Sequence, residues 1–116
     1  MKKVLIVDDN EEICHVIVIV LREEGYDAQS YNTGNNLIPT VLTINPDLIL
    51  MDIMVGKHDG RKLCDELKTN AETAHIPIIL ISAAHDLHTQ PNMADGFVSK
   101  PFDMDYLLRR VARTIN

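Results

Sequence analysis

Five side chains in this 116-residue sequence share one local setting. Asp8 and Asp9 follow the apolar run Val4-Leu5-Ile6-Val7, and Asp52 follows Leu48-Ile49-Leu50-Met51. Ser82 follows Ile78-Ile79-Leu80-Ile81, and Lys100 follows Gly96-Phe97-Val98-Ser99. Three carboxylates brought together repel one another and stay ionised only at a cost unless a cation sits among them. A hard divalent ion meets that need, and Mg²⁺ commonly takes one or two carboxylates, several waters and phosphate oxygens. The set predicts Asp9 and Asp52 as Mg²⁺ ligands, Asp8 helping directly or through water, and the backbone carbonyl of Met54 as a further ligand. A carboxylate is also a nucleophile able to form an aspartyl phosphate, and Asp52 is the candidate. The oxygens of a phosphoryl group in transfer need neutralising. Mg²⁺ would take one, the Lys100 ammonium a second and the Ser82 hydroxyl a third.

Each residue alone has an ordinary explanation. Asp8-Asp9 before Asn10 suit a helix N-terminus, and Asp52 could form a turn. Ser82 could cap a helix, and Lys100 could be a solvated charge. Their convergence depends on the elements that carry them. Val4–Val7 reads as a strand buried on both faces of a parallel sheet. Asn10 is a good N-cap with Glu11 and Glu12 in the first turn, and Ile13, Val16, Ile17, Val20 and Leu21 follow at helical spacing until Gly25. Asp27–Tyr31 reads as an edge strand, and residues 34–44 as a short helix interrupted near Pro39. Strands follow at Asp47–Met51, Pro77–Ile81 and Gly96–Ser99. A helix from Gly60 to Lys68 carries Leu63, Cys64 and Leu67 on one face. The last helix starts near Asp103 and packs Tyr106, Leu107, Val111 and Ile115. Strands alternating with helices predict right-handed crossovers and a doubly wound α/β domain of five parallel strands with helices on both faces. Ligands in such folds bind beyond the carboxyl ends of the strands, where the strand order switches.

The length fits one domain over residues 1–116. The apolar fraction is 46%, but aromatics supply only 4%, so Val, Ile and Leu must build the core. A net charge of −6 argues against nucleic acid or an anionic membrane as the main partner, because both demand a cationic footprint. Cys14 and Cys64 lie within apolar patterns and are expected as buried thiols. Lys2-Lys3 precede only four apolar residues before Asp8-Asp9, which is too short for a signal peptide, and the longest apolar run, Val16–Leu21, is too short to span a bilayer. A cytoplasmic location is the expectation. His75, His85 and His88 show no metal-ligand spacing and are expected at the surface.

At this point the sequence resembles the receiver domains of two-component response regulators, from Val4-Leu5-Ile6-Val7-Asp8-Asp9 to Lys100-Pro101-Phe102 and the last helix. Asp8-Asp9 match the acidic pair of that family, Asp52 its phosphoacceptor, Asp59-Gly60 the Asp-Gly that opens its third helix, Ser82-Ala83 its hydroxyl and small residues, and Lys100-Pro101-Phe102 its lysine motif. The resemblance implies a flavodoxin-like strand order 2-1-3-4-5 and catalytic roles for Asp52, Lys100 and Ser82. It implies a cis Lys100-Pro101 bond and a switch in which Ser82 moves toward the phosphate and Phe97 turns inward. It also implies a histidine kinase or phosphotransfer protein as donor. Output would pass to a downstream protein, or to an effector domain absent from this chain.

Two departures stand out. Gly56 occupies a position where the family usually has Pro, which predicts a looser loop from Val55 to His58. Ser82 and Lys100 are only 18 positions apart, about four fewer than usual. The segment from Ala83 to Asp95 contains Pro91 and offers only Leu87 and Met93 as core contributors. A shortened or disordered fourth helix is therefore expected. Met54 and Ala84, two residues beyond Asp52 and Ser82, give little to orient an attacking water, which predicts a long-lived phospho-form. A pseudo-receiver that binds partners without using phosphate is the alternative; the complete residue set argues against it. An aspartyl phosphatase would be expected to carry a second Asp where Met54 stands.

Overall fold

The central strands are short apolar runs whose alternate side chains face opposite ways, so both faces of the sheet must be covered there. In the computed structural model, which describes residues 1–83 and 93–115, they are. The chain runs through β1 (Lys3–Val7), α1 (Glu11–Glu23), β2 (Asp27–Tyr31), α2 (Leu37–Ile44) and β3 (Leu48–Asp52). A small hairpin of β4 (Met54–Val55) and β5 (His58–Asp59) follows. Then come α3 (Gly60–Thr69), β6 (Ile78–Ala83), β7 (Gly96–Lys100) and α4 (Met104–Ile115). The main sheet is parallel throughout, with order β2-β1-β3-β6-β7. Setting the hairpin aside, this is the expected 2-1-3-4-5 order.

The period of two sorts the core. Val4 and Ile6 of β1, Leu48 and Leu50 of β3, and Ile79 and Ile81 of β6 pack with Cys14, Ile17, Val18 and Leu21 of α1 and Leu107 and Val111 of α4. Leu5, Val7, Ile49, Met51, Ile78 and Leu80 face the other way, onto Leu37 and Val41 of α2 and Leu63, Cys64 and Leu67 of α3. Burying each large aliphatic side chain contributes roughly 1.5–3 kcal/mol. Cys14 and Cys64 are buried free thiols, and burial pushes their pKa values up to about 11 and about 12. No described helix is long and apolar enough to cross a membrane.

Several expectations shift. The buried stripe of α1 is Cys14, Ile17, Val18 and Leu21, whereas Val16 is 50% exposed. The run Val16–Leu21 is apolar all round, so periodicity could not choose the face; packing on β1 and β2 does. Pro39 does not interrupt α2. It is the third residue of the helix, in the first turn, where a missing N–H costs no intrahelical bond. Tyr106 lies at the surface rather than in the core, under Arg109 and Arg110, each 5.9 Å from its ring centroid. The expected fourth-helix segment, with Leu87, Pro91, His85 and His88, falls largely on residues 84–92 and lies outside the described residues. At its far end Met93 is 50% exposed, not a core contributor, and its N–H donates to Asp65 Oδ1 at 2.9 Å. Asp95 then pairs with Lys68 of α3 at 2.7 Å and accepts the Ile78 N–H at 2.8 Å, tying the start of β7 to β6 and α3. His75 is exposed, as expected.

The face of α1 is testable. Ile17→Ala should cost about 2–5 kcal/mol by urea unfolding, while Val16→Ala should change stability by under about 0.5 kcal/mol. Equal losses would mean that the helix presents a different side to the sheet.

Candidate functional site

β1 and β3 are neighbours in the sheet, and the chain leaves β1 for β2 on one side and β3 for β6 on the other. That divergence opens a crevice at the carboxyl ends of the two strands. Asp8 and Asp9 follow β1, and Asp52 ends β3. One carboxylate oxygen from each lies within 4.8 Å of the others, the one such cluster among the described residues.

The three carboxylates are not equivalent. Asp8 is buried, 3% exposed, and accepts the Asn10 N–H at 2.9 Å. Its backbone is fixed as well: its N–H donates to Tyr31 O at 3.2 Å, and its carbonyl accepts the Cys14 thiol at 3.4 Å. Burial raises its pKa above the usual carboxylate value; the charges of Asp52 and Asp9 add to the rise, and the Asn10 amide and Lys100 oppose it. Asp9 is exposed and accepts the Gly56 N–H on Oδ2 at 3.1 Å. Asp52 is partly buried and pairs with Lys100, Nζ to Oδ1 at 3.1 Å. Lys100 ends β7, two strands away from β3, and the bond that follows it, Lys100-Pro101, is cis as expected. Four of the five rim residues are thus brought together around Asp52.

Ser82 is 2% exposed and follows Ile81, the β6 residue in register with Asp52, so it sits at the same rim. Phe97 pairs in register with Leu80, and Ser99 with Ser82. Phe97 packs half-buried in the cluster on the α2 and α3 side, the face to which strand alternation also assigns Ser82. Met54 lies in β4 with its side chain 58% exposed.

The β4–β5 hairpin was not foreseen. Its pairs Met54–Asp59 and Val55–His58 leave Gly56-Lys57 as a two-residue turn. Only Gly56 of the two has positive φ, 60°, the pattern of a turn with Gly in its first central position. The signal was present as Gly between two potential strand residues, but loop and hairpin readings compete over so short a stretch. The segment expected to be loose is instead paired, and its turn amide reaches Asp9.

Gly60 explains the Asp59-Gly60 pair. Asp59 caps α3, accepting the Arg61 N–H at 2.9 Å, and hydrogen bonds from the Arg61 guanidinium hold its carboxyl below the usual range. Gly60 donates its N–H to Ile53 O, and a methyl group at Gly60 would overlap the carbonyl oxygen of Asp52. The start of α3 therefore presses on the backbone that carries the central carboxylate.

A doubly wound parallel sheet with three carboxylates and a facing ammonium at its carboxyl edge defines a class of α/β domain. The family described as response regulator receiver domain matches residues 4–112, and the chain belongs to that family. A DNA-binding dual master transcriptional regulator, RpaA of Synechocystis, is 33% identical over 115 residues, 96% of this chain and 48% of the relative, so the chain spans about half that relative's length. A putative response regulator from Chloroflexus aurantiacus is 25% identical, with a TM-score of 0.90 over 98% of this chain and 97% of the other. The receiver domain of the sensor histidine kinase PA1611 from Pseudomonas aeruginosa, solved with a magnesium ion coordinated in its active-site cleft, is 26% identical, with a TM-score of 0.86 over 98% and 97% of the two chains.

Replacing Gly60 tests the contact with Asp52. Gly60→Ala should cost about 1–3 kcal/mol in urea unfolding despite the better helix propensity of Ala, and it should shift the backbone resonances of Ile53 and Asp52. A neutral substitution would show that the α3 start does not constrain Asp52.

Proposed function

We propose that this receiver domain, taken as one unit over residues 1–116, accepts a phosphoryl group on Asp52 and relays a signal through altered protein binding. Receiver domains of two-component response regulators are signalling modules rather than turnover enzymes, and they hold Mg²⁺ in their acidic pocket. The observation that carries the reading is the Lys100 Nζ–Asp52 Oδ1 contact at 3.1 Å, made beside the three-carboxylate cluster. The donors fit a hard cation: they are oxygens, and Asp8 is buried with its charge opposed by its surroundings. Asp8, Asp9, Asp52 and the Met54 carbonyl would hold it. When bound, Mg²⁺ supplies neutralisation of the carboxylates and of one phosphoryl oxygen.

The chain's own groups divide the remaining work. An Asp52 carboxylate oxygen attacks phosphorus, the bond from phosphorus to the donor's imidazole nitrogen breaks, and an acyl phosphate forms while the electron pair leaves with the imidazole. Lys100, already at the carboxylate, is placed to follow the charge from Asp52 onto a phosphoryl oxygen. Ser82 offers its hydroxyl to another, and its movement would free space for Phe97 on the shared face. Met54 brings no acid, base or amide side chain to the mouth of the site, which supports a slowly hydrolysed phospho-form.

The donor is a histidine kinase or a phosphotransfer protein, and the output is a downstream protein or an effector outside these residues. The net charge of −6 supports protein rather than nucleic acid or membrane as the surface met by this domain. A cytoplasmic setting fits a kinase-fed receiver.

Incubating the chain with a small-molecule phosphodonor and Mg²⁺ should add one phosphoryl group, read by intact-mass spectrometry. Asp52→Asn should abolish the gain, as should removal of Mg²⁺ with a chelator. Lys100→Met should slow the gain by at least about tenfold. A phosphoryl group that appears in Asp52→Asn at the native rate would overturn the assignment.

A further inference from the structure

The Gly56 amide donates to Asp9 across 47 positions of sequence, at 3.1 Å. Three features hold that donor in place. Val55 beside it is fully buried in the α2 and α3 side of the core. His58 across the turn meets Asn35 Oδ1 through Nε2 at 2.9 Å and lies so close over Gly34 that a methyl group there would come within 2.7 Å of the ring. Gly56 itself adopts φ 60°, which aims the amide without the strain another residue would bear. The acceptor, in contrast, is exposed and on a short irregular link between β1 and α1, free to choose among rotamers were nothing bonded to it.

We propose that Gly56 is a positioning residue for Asp9: its amide holds Oδ2, leaving the other carboxylate oxygen for the divalent cation shared with Asp8 and Asp52. Outer hydrogen bonds of this kind fix the orientation of a ligating carboxylate and lower the entropy lost when the cation binds. The hairpin acts as a strap joining the rim after β1 to the rim after β3. The inference rests on the cation-binding reading of the site and adds to it a residue with no ligating or acidic side chain.

Two changes separate the N–H from the backbone shape. Gly56→Ala keeps the donor but strains positive φ. Glycolic acid in place of Gly56, introduced by semisynthesis, turns the amide into an ester: it removes the N–H and leaves φ free, whereas proline would force φ to about −65° and open the turn. Mg²⁺ affinity is read by amide NMR titration without any phosphodonor, and stability by thermal unfolding. Gly56→Ala should lower the unfolding midpoint yet bind Mg²⁺ within about twofold of the native chain, whereas the ester should bind about tenfold more weakly. Native affinity in the ester, or an equal loss in both variants, would overturn the role of the amide. If the ester chain does not fold, hydrogen exchange in the unsubstituted chain decides. The Gly56 amide should be protected, and Asp9→Ala should abolish the protection; exchange at an unstructured-peptide rate would refute the bond. Absence of any Mg²⁺ binding by the native chain would instead remove the reading beneath both.

Discussion

Three carboxylates are pressed into one crevice with a single ammonium facing them, and the rest of the structure can be understood as the means of keeping them there. With an effective dielectric constant of 20, two like charges about 4 Å apart repel by roughly 4 kcal/mol. Asp8 bears the largest burden, because it is also buried. The Asn10 amide and Lys100 relieve part of this, but neither removes the desolvation of the charge. A site built this way is poised to take up positive charge, which a divalent cation would supply.

The force that holds the carboxylates together comes from the sheet. Strand alternation divides the apolar side chains between two cores, so a one-residue slip in any central strand would send every side chain to the wrong face. The register is therefore set by burial of residues such as Leu5, Ile49, Leu50 and Leu80, and the ends of the strands follow from it. Asp52 lies one step beyond Met51, and Lys100 reaches it from β7. Secondary contacts refine the placement. Gly60 abuts the Asp52 carbonyl, Gly56 bonds to Asp9, and the Lys68–Asp95 pair ties the chain entering β7 to α3.

Much of this was legible in the sequence because strong local signals agreed. The runs ending at Val7, Met51 and Ile81 suit buried parallel strands, a reading that places the residues after them at one edge. The family motifs then fixed the strand order and the cis bond before Pro101. What was not legible depended on long-range packing. The face of α1 could not be chosen while Val16, Ile17 and Val18 were all apolar, and Pro39 could be recognised as harmless only once the helix start was known. The hairpin turned on whether Gly56 relaxed a loop or closed a turn. Its hydrogen bond to Asp9 joins residues 47 positions apart and has no local signature.

Asp8→Asn tests the central claim most directly, with thermal unfolding measured in chelator and in saturating Mg²⁺. Burial raises the Asp8 pKa, so the ionised form costs stability above the carboxylate range, and the neutral amide keeps an oxygen for the Asn10 N–H. The account predicts that the variant is more stable than the native chain in chelator, and that Mg²⁺ raises the native midpoint far more than that of the variant. A variant less stable than the native chain without metal, together with equal Mg²⁺ stabilisation of both, would contradict it.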